Sequence, residues 1–217
     1  MTTARISRED SKARTRAELI AAARRVFLRR GFHASTLDEI AEEAGYTKGA
    51  VYSNFSGKDD LFLALLAEHY VGRAAMYAAL VPSSGDEAEE TFRRIARVML
   101  DAYEDEPAWW PLVSSFSTHA ARNPELNEQL RGTREGYLDA MATTVEALCS
   151  HHGIVLSLPA REAARGTGAL MRGMAVEWAI DAAPADRAAF EEMLAAFLRG
   201  LAAPRRGAPH DPDSDNG

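Results

Sequence analysis

Apolar residues recur at helical spacing in a short segment near the amino terminus. They occupy the i, i+3, i+4 and i+7 positions of one buried helical face and are Leu37, Ile40, Ala41 and Ala44. The pair Thr36 and Glu39 has the spacing of a capping box, in which each side chain satisfies the other's backbone amide. The pattern therefore predicts a helix that begins directly after Thr36.

A second helix is predicted a few residues further along the chain. Gly45 follows the first apolar face, where a left-handed residue ends a helix. Thr47 is a suitable N-cap for the next segment. In a helical projection, Val51 and Phe55 share the inward side of that segment. Two helices around a glycine-containing turn are typical of a helix-turn-helix, which reads DNA with its second helix.

The outward side of the second helix carries small or hydrogen-bonding residues. These are Gly49, Ala50, Ser53 and Asn54. The two small residues allow a close approach to base edges, and Asn54 can donate and accept toward adenine. Tyr52 lies where it can approach a phosphate, and Lys48 where it can approach a phosphate or a base edge. Thr47, at the start of the helix, is also counted among the residues predicted to contact DNA. The competing interpretation is a pair of ordinary surface helices in an all-α domain.

The stretch from Leu19 to Leu65 resembles the amino-terminal domain of the TetR family of transcriptional regulators. The matching elements are Phe27, Gly31-Phe32, Thr36, Ile40-Ala41, Ala44-Gly45, Lys48-Gly49, Val51-Tyr52, Phe55, Lys58 and Leu61-Phe62. Tyr46, Gly57 and the pair Ser53-Asn54 depart from residues common in that family. The resemblance implies phosphate contacts by Thr36, Tyr52 and Lys58, but no particular operator sequence.

The rest of the chain is predicted to be helical, which gives an all-α fold with two domains. Further helices are expected at about 12–30, 58–80, 86–105, 107–121, 124–152, 160–181 and 185–202, separated by Pro and Gly. The predicted division is a flexible arm (1–11), a helix-turn-helix domain (12–57), an effector-binding and dimerisation domain (58–202) and a disordered tail (203–217). Arg5 and Arg8 either enter a minor groove or belong to a frayed terminus.

Composition and charge narrow the classes of function. The chain has 217 residues and a net charge of −7, but residues 5–30 hold nine basic and three acidic residues, a local patch of the kind that DNA binding needs. No apolar run has the length of a membrane span, and the polar amino terminus is unlike a secretory signal. We therefore expect a cytoplasmic protein without a membrane partner.

Nothing in the sequence predicts an enzyme, a cofactor or a metal site. Familiar catalytic motifs such as HExxH, GxSxG and the phosphate loop do not occur. Cys149 is the only cysteine, and it lies close to His151 and His152. We interpret this group as an ordinary thiol beside histidines rather than a nucleophile or a metal ligand set.

The second domain contains candidates for a ligand pocket. The candidates are the aromatic, Met and His residues Met99, Tyr103, Trp110, Phe116, His119, Met174 and Trp178. Ligand sites are mostly apolar with a few polar groups. The competing interpretation is that these side chains simply fill the core.

The last two helices contain candidates for a dimer interface. Gly166, Ala169 and Gly173 lie in one predicted helix, and Phe190, Met193 and Phe197 form part of an apolar stripe on the next. Because glycine inside a helix costs about 1 kcal/mol relative to alanine, close helix–helix packing is the expected compensation. Two such helices can form a four-helix bundle across a two-fold axis, unless both pack wholly inside one subunit.

Together these patterns predict a homodimeric DNA-binding transcriptional regulator. Its expected partners are double-stranded operator DNA, a second copy of the chain and a small apolar or amphipathic effector that releases a repressor from DNA. We hypothesise that the effector tilts the 58–80 helix and changes the separation of the two reading heads. The alternatives are an all-α ligand carrier or enzyme that kept the fold, and a constitutive DNA binder whose second domain only dimerises.

Overall fold

The computed structural model describes residues 8–81, 88–180 and 187–203, except for the side chains of residues 88 and 178–180. Every regular element in these ranges is a helix, which confirms the predicted all-α class. The helices are α1 (Arg8–Ala34), α2 (Leu37–Ala44), α3 (Lys48–Tyr52), α4 (Lys58–Ala78), α5 (Ala88–Glu104), α6 (Trp109–Ala120), α7 (Pro124–His152), α8 (Ala160–Ile180) and α9 (Arg187–Gly200).

Helix α1 differs from its prediction at its start. It begins at Arg8 rather than near residue 12, so the end of the predicted flexible arm is helical. Glu9 and Asp10 lie in its first turn, where carboxylates stabilise the positive end of the helix dipole. Arg5 and the tail from residue 204 onward lie outside the described residues. At the other end Gly31 leaves helical geometry with φ 78°, at the position where the sequence predicts a stop.

Helix α3 is shorter than the predicted two turns. It ends at Tyr52, and Asn54 and Phe55 follow in a turn. The amide of Phe55 still donates to the carbonyl of Val51 at 2.9 Å. The inward position of Phe55 therefore survives although the regular helix is only five residues long.

Two apolar clusters hold the molecule together. The first joins α1, α2, α3, α4 and α6, and its largest buried side chains include Phe27, Phe32, Phe62, Phe116 and Trp109. The second joins α5, α8 and α9. Helix α4 packs along α7, and α7 packs along α8. None of the helices in the described parts of the chain combines the length and apolarity that crossing a bilayer demands.

Candidate functional site

The turn between α2 and α3 is fixed by local hydrogen bonds. The hydroxyl of Thr36 accepts from the amide of Glu39 at 3.2 Å, and the Glu39 carboxylate accepts from the amide of Thr36 at 3.0 Å. Gly45 ends α2 in the left-handed region at φ 72°. The hydroxyl of Thr47 accepts from the amide of Ala50 at 3.3 Å. The capping box, the glycine stop and the N-cap are thus formed where the sequence predicts them.

Helix α3 presents one face to solvent. Val51 and Phe55 are buried at 0% and 2% exposure, whereas Tyr52 is 53% exposed. We call the exposed residues of this segment the α3 surface; they are Thr47, Lys48, Gly49, Tyr52 and Ser53. Ala50 and Asn54 are half-buried at its edge. Six of the nine residues predicted to contact DNA, Thr36 among them, are therefore open to solvent.

Side chains of helix α1 hold the α3 segment in place on its buried side. The Arg16 guanidinium donates to the backbone oxygen of Asn54 at 3.0 Å and lies over the Phe55 ring at 4.2 Å. The Tyr46 hydroxyl donates to the carboxylate of Glu18. These side chains join the turn to α1, so the surface is held by the protein before any partner arrives. Tyr46, which in the sequence is only a departure from the residues common in the TetR family, takes part in these contacts.

Asn54 does not point outward as predicted. Its Nδ2 donates to the carbonyl of Ala50 at 2.8 Å, and its Oδ1 is buried with no hydrogen-bond partner among the described residues. The regular helix ends before Asn54, which lets the side chain fold back onto α3. A contact between this amide and a base would require the side chain to turn and give up the bond to Ala50.

Lys58 is not a free phosphate ligand. Its ammonium donates to the carbonyls of Phe32, His33 and Ser35 at 2.9, 3.3 and 3.0 Å. It also lies over the Phe32 ring at 4.6 Å. Burial lowers the pKa of Lys58. Because an ammonium has three donors, this side chain is fully occupied in joining α4 to the segment that leads into Thr36.

Lys48 forms only an exposed ion pair. Its ammonium lies 2.8 Å from Asp38 Oδ1, and both side chains are more than half exposed. Such surface pairs contribute little free energy and exchange readily. Lys48 thus remains available to another anion, in contrast to Lys58.

Phe116 and His119 lie at the junction of the two predicted domains instead of lining a cavity. The Phe116 ring stacks on Phe62 at 4.2 Å and meets the edge of Phe32 at 5.0 Å. His119 Nε2 lies 3.1 Å from Asp59 Oδ1 in the first turn of α4. Both residues occupy the face of α6 that packs against α1 and α4, so they connect α6 to the helix-turn-helix region.

A cavity of about 160 Å³ lies in the larger domain, between α4, α5, α6, α7, α8 and α9. Three of the seven predicted pocket residues, Met99, Tyr103 and Trp110, line it. Met174 belongs instead to the second core cluster, because it is turned toward α5 and α9. The side chain of Trp178 lies outside the described residues.

The prediction missed the polar part of this cavity. Its wall also includes Tyr70, Arg73 and Tyr77 of α4, Tyr137 of α7 and Arg172 of α8. Residues 70, 73 and 77 follow the helical i, i+3, i+7 spacing, so one face of α4 could have been identified from the sequence. The contributions of α7 and α8 depend on helix packing that no local pattern reveals.

Burial changes the protonation of several groups around the cavity. It raises the pKa values of Tyr70, Tyr77 and Tyr137, which keeps these phenols neutral. Burial and the positive charges of Arg73 and Arg24 lower the pKa of His69 to about 3. The His69 ring stacks on Trp109 at 3.9 Å. The cavity wall is therefore rich in neutral hydrogen-bonding rings.

The predicted interface residues fall into two groups. Gly166, Phe190 and Phe197 are half-buried, and a Cβ on Gly166 would lie 3.6 Å from the Phe197 ring. That distance is an ordinary van der Waals contact, so the packing of α8 on α9 at this point does not require a glycine. Ala169 and Gly173 of α8 and Met193 of α9 are exposed, and Val176, one turn beyond Gly173, is 50% exposed. The exposed group is the part that remains available to a second copy.

Cys149 does not form a reactive centre with its neighbouring histidines. The thiol is buried, and burial raises its pKa. His152 turns away toward Thr91, with Nε2 3.5 Å from the Thr91 hydroxyl. Across the described ranges, no group of three or more His, Cys, Asp and Glu side chains has the arrangement of a metal site.

Comparison with known proteins links both regions to bacterial regulators. A family model described as "Bacterial regulatory proteins, tetR family" matches residues 19–65, and one described as "BetI-type transcriptional repressor, C-terminal" matches residues 88–203. The chain is 29% identical to the transcriptional activator FasR of Mycolicibacterium smegmatis over 126 residues, 58% of this chain and 56% of FasR. It is 52% identical to the regulator TtgR of Pseudomonas putida over 52 residues, 24% of this chain and 25% of TtgR. The matches thus span about half or less of these relatives.

Solved structures share the fold at low sequence identity. A regulator from Mesorhizobium loti, described as a TetR-family member, aligns with a TM-score of 0.67 at 20% identity, over 88% of this chain and 96% of its own. The regulator FadR from Bacillus subtilis, in complex with stearoyl-CoA, gives 0.66 at 19% identity, over 84% and 96%. A transcriptional regulator from Saccharomonospora viridis, in complex with choline, gives 0.64 at 20% identity, over 89% and 100%.

Proposed function

This chain belongs to the TetR family of bacterial regulatory proteins, and on that premise we propose that it is a homodimeric transcriptional repressor of the bacterial cytoplasm. It binds operator DNA through the α3 surface and is released by a small apolar or amphipathic effector in the interior cavity. The observation that carries the proposal is the course of α4. This helix begins at Lys58, bonded to the segment before α2, and its other half supplies Tyr70, Arg73 and Tyr77 to the cavity.

The α3 surface suits a DNA groove in shape and chemistry. Thr47, Gly49 and Ser53 are small and exposed, so their backbone and hydroxyl groups can approach base edges. Thr36 and Tyr52 have exposed side chains for phosphate contacts, and Lys48 can exchange Asp38 for a phosphate. Ala50 adds a small surface at the edge, and Asn54 reads a base after its side chain turns outward. In this assignment Lys58 positions Thr36 instead of touching DNA.

A second copy supplies the second reading head. Helix-turn-helix dimers bind two half-sites about one DNA turn apart. The exposed strip formed by Ala169, Gly173 and Val176 on α8, with Met193 on α9, is apolar and has few bulky side chains. Two such strips can pack closely around a two-fold axis as a four-helix bundle. The pairing of Gly166 with Phe197 contributes from within each subunit.

Helices α4 and α6 both connect the cavity to the α3 surface. Trp110, near the start of α6, lines the cavity, and Phe116, two turns later, packs on Phe32 and Phe62. An effector that favours one arrangement of these helices shifts the separation of the two heads through its differing affinity for the two states. The neighbours in complex with stearoyl-CoA and with choline support the fold's capacity to hold a small molecule.

The proposal is tested by selecting bound duplexes from a random pool with the purified full chain. We expect enrichment of a palindromic sequence with two half-sites, measured by sequencing and by fluorescence anisotropy. On that duplex Asn54→Ala should weaken binding by about 1–3 kcal/mol at one base position of each half-site, whereas Glu42→Ala, an exposed change on the neighbouring helix, should not. A pool without enrichment at low salt would contradict DNA binding, and equal losses on every duplex would contradict base reading by Asn54.

A further inference from the structure

The described wall of the cavity carries positive charge without any carboxylate. Four arginines line it, namely Arg73, Arg134, Arg165 and Arg172, and no described Asp or Glu does. A mostly apolar cavity that serves a neutral ligand has no use for such an excess. The charge therefore calls for an explanation in terms of what the cavity holds.

Two of the four arginines have carboxylate or carbonyl partners within the protein. Arg73 donates to the carbonyl of Ala102 at 2.8 Å and lies 3.6 Å from Glu106. Arg165 lies 3.2 Å from Glu162 and 4.0 Å from Glu135. Both guanidinium groups therefore have a carboxylate nearby, although the buried Nε of Arg165 makes no hydrogen bond to a described residue.

The other two have no such partner. Neither Arg134 nor Arg172 makes a hydrogen bond or an ion pair with any residue that the structure describes. The nearest acids of α7 are already engaged, since Glu135 and Asp139 both accept from Arg161. Arg172 is half-buried, and its pKa is lowered by burial and by the positive charge of Arg134 nearby. Two half-buried guanidinium groups that repel each other are stabilised once an anion lies between them.

Neutral donors lie beside the arginine pair. The rings of Tyr70 and Tyr137 stack at 4.4 Å. Tyr70 lies in the field of both Arg134 and Arg172, and Tyr137 in that of Arg172. Because burial raises the pKa values of these phenols, they stay protonated and cannot neutralise the arginines. Each phenol can donate a hydrogen bond to an added anion, while the charge preference of the polar end of the cavity comes from the arginine pair.

The size of the cavity sets the apolar part of the ligand. An apolar cavity of about 150 Å³ holds a benzene ring, and this one measures about 160 Å³. Trp110, Met99 and Met171 contribute ring and thioether surface to its wall. The space thus fits one ring-sized group that carries a single charged substituent.

We propose that the effector is a small amphipathic organic anion whose charged group lies between Arg134 and Arg172 and whose ring-sized apolar group fills the rest of the cavity. This inference rests on the proposed function only in treating the cavity as the effector site. Carboxylates and phosphate monoesters share the chemistry that a pair of arginines recognises, so the experiment separates the two.

The test is isothermal titration calorimetry on the full chain without DNA, with benzoate, phenyl phosphate, benzamide and benzylamine as probes. We expect at least one of the two anions to bind, benzamide to bind at least about tenfold more weakly, and benzylamine to give no heat of binding. Arg172→Gln should remove about tenfold or more of the anion affinity and bring it close to that of benzamide. Arg131→Gln, on α7 but paired with Glu128 in solvent, should leave every affinity unchanged.

Thermal unfolding separates a lost binding site from a damaged fold. Because Arg172→Gln removes an unpaired, partly buried charge, the ligand-free variant should melt at the same or a higher temperature than the wild type, while losing the rise in Tm that the anion causes. A ligand-free variant that melts lower, with anion affinity unchanged, would show a structural role and overturn the proposal. Equal affinities for benzoate and benzamide, preferential binding of benzylamine, or no binding of either anion at millimolar concentration would overturn it as well.

Operator release, measured by anisotropy, distinguishes this inference from the proposed function. Arginine-dependent anion binding that leaves DNA affinity unchanged would sustain the anion site in the cavity and overturn its regulatory role in the proposed function. Release of DNA by benzylamine or by choline, unaffected by Arg172→Gln, would sustain the proposed function and overturn the inference.

Discussion

The α3 surface and the cavity differ in how far their polar groups are satisfied by the protein itself. Around α3, the ammonium of Lys58 has three carbonyl partners, Arg16 reaches the backbone of Asn54, and Tyr46 donates to Glu18. In the cavity, Arg134 and Arg172 have no partner among the described residues. Asn54 Oδ1, buried at the edge of the α3 surface, also lacks a hydrogen-bond partner among the described residues. The charged groups around α3 are nevertheless paired within the protein, whereas the two cavity arginines are not.

This difference suits the two proposed binding tasks. A surface that reads base edges gains from rigidity, because ordering it upon binding would cost conformational entropy. A cavity that responds to a ligand gains from unsatisfied groups, because the ligand then stabilises one arrangement of the helices over another. The comparison holds only if both regions share one folded core. Three measurements test the comparison.

The largest expected effect comes from the ring that joins the two regions. Phe116→Ala should lower the free energy of unfolding by about 3–5 kcal/mol, because Phe116 is fully buried against Phe32 and Phe62. Chemical denaturation should still show one transition, shifted for the whole chain. Thr118→Ala, an exposed change on the same helix, is the matched control. If the larger domain kept its wild-type transition while the helix-turn-helix region melted separately, the two regions would not share a core.

The next effect concerns His69, which is buried, stacks on Trp109 of the first core and also lines the cavity. Its pKa is about 3 in the folded chain and about 6.5 when unfolded. Between these values the unfolded chain binds the extra proton, so stability is fully present above about pH 6.5 and is lost as the pH falls toward 3. The slope from this one group is at most about 1.4 kcal/mol per pH unit.

The contribution of His69 is measured as a difference between variants. His69→Phe keeps a ring for stacking on Trp109 but cannot titrate beside Arg24 and Arg73. Its stability should fall less steeply than that of the wild type between pH 6.5 and 4.5, in parallel urea titrations. His151→Phe, exposed at the end of α7, should retain the wild-type slope. Identical slopes for the wild type and His69→Phe would mean that the folded chain protonates this ring readily.

The two regions also differ in how much of them the sequence predicts. Thr36, Glu39, Gly45 and Thr47 act through neighbours a few residues away, so their roles follow from spacing. The residues that line the cavity come from six helices. In α6 the sequence pattern does not distinguish Phe116, which packs in the core, from Trp110, which lines the cavity. Which of the two faces a cavity depends on where α1 and α4 pack. The arginine pair is likewise invisible in the sequence, because Arg134 and Arg172 lie on separate helices.

Lys58 gives the smallest of the three effects and the sharpest test of the contrast, because the family resemblance and the geometry disagree about it. The resemblance implies a phosphate contact, whereas the structure has its ammonium bonded to Phe32, His33 and Ser35. Lys58→Met should therefore lower stability by about 1–2 kcal/mol and weaken binding to all duplexes, without changing the salt dependence of that binding. Lys48→Met, which removes an exposed ammonium, should reduce the slope of log affinity against log salt by about one. Anisotropy titrations from 50 to 200 mM salt measure both slopes, because the affinity lost over this range rises steeply with the number of phosphate contacts. A reduced slope for Lys58→Met would mean that this ammonium leaves its carbonyls for a phosphate upon binding, and the charged groups around α3 would then be rearranged by the partner instead of being fixed before it binds.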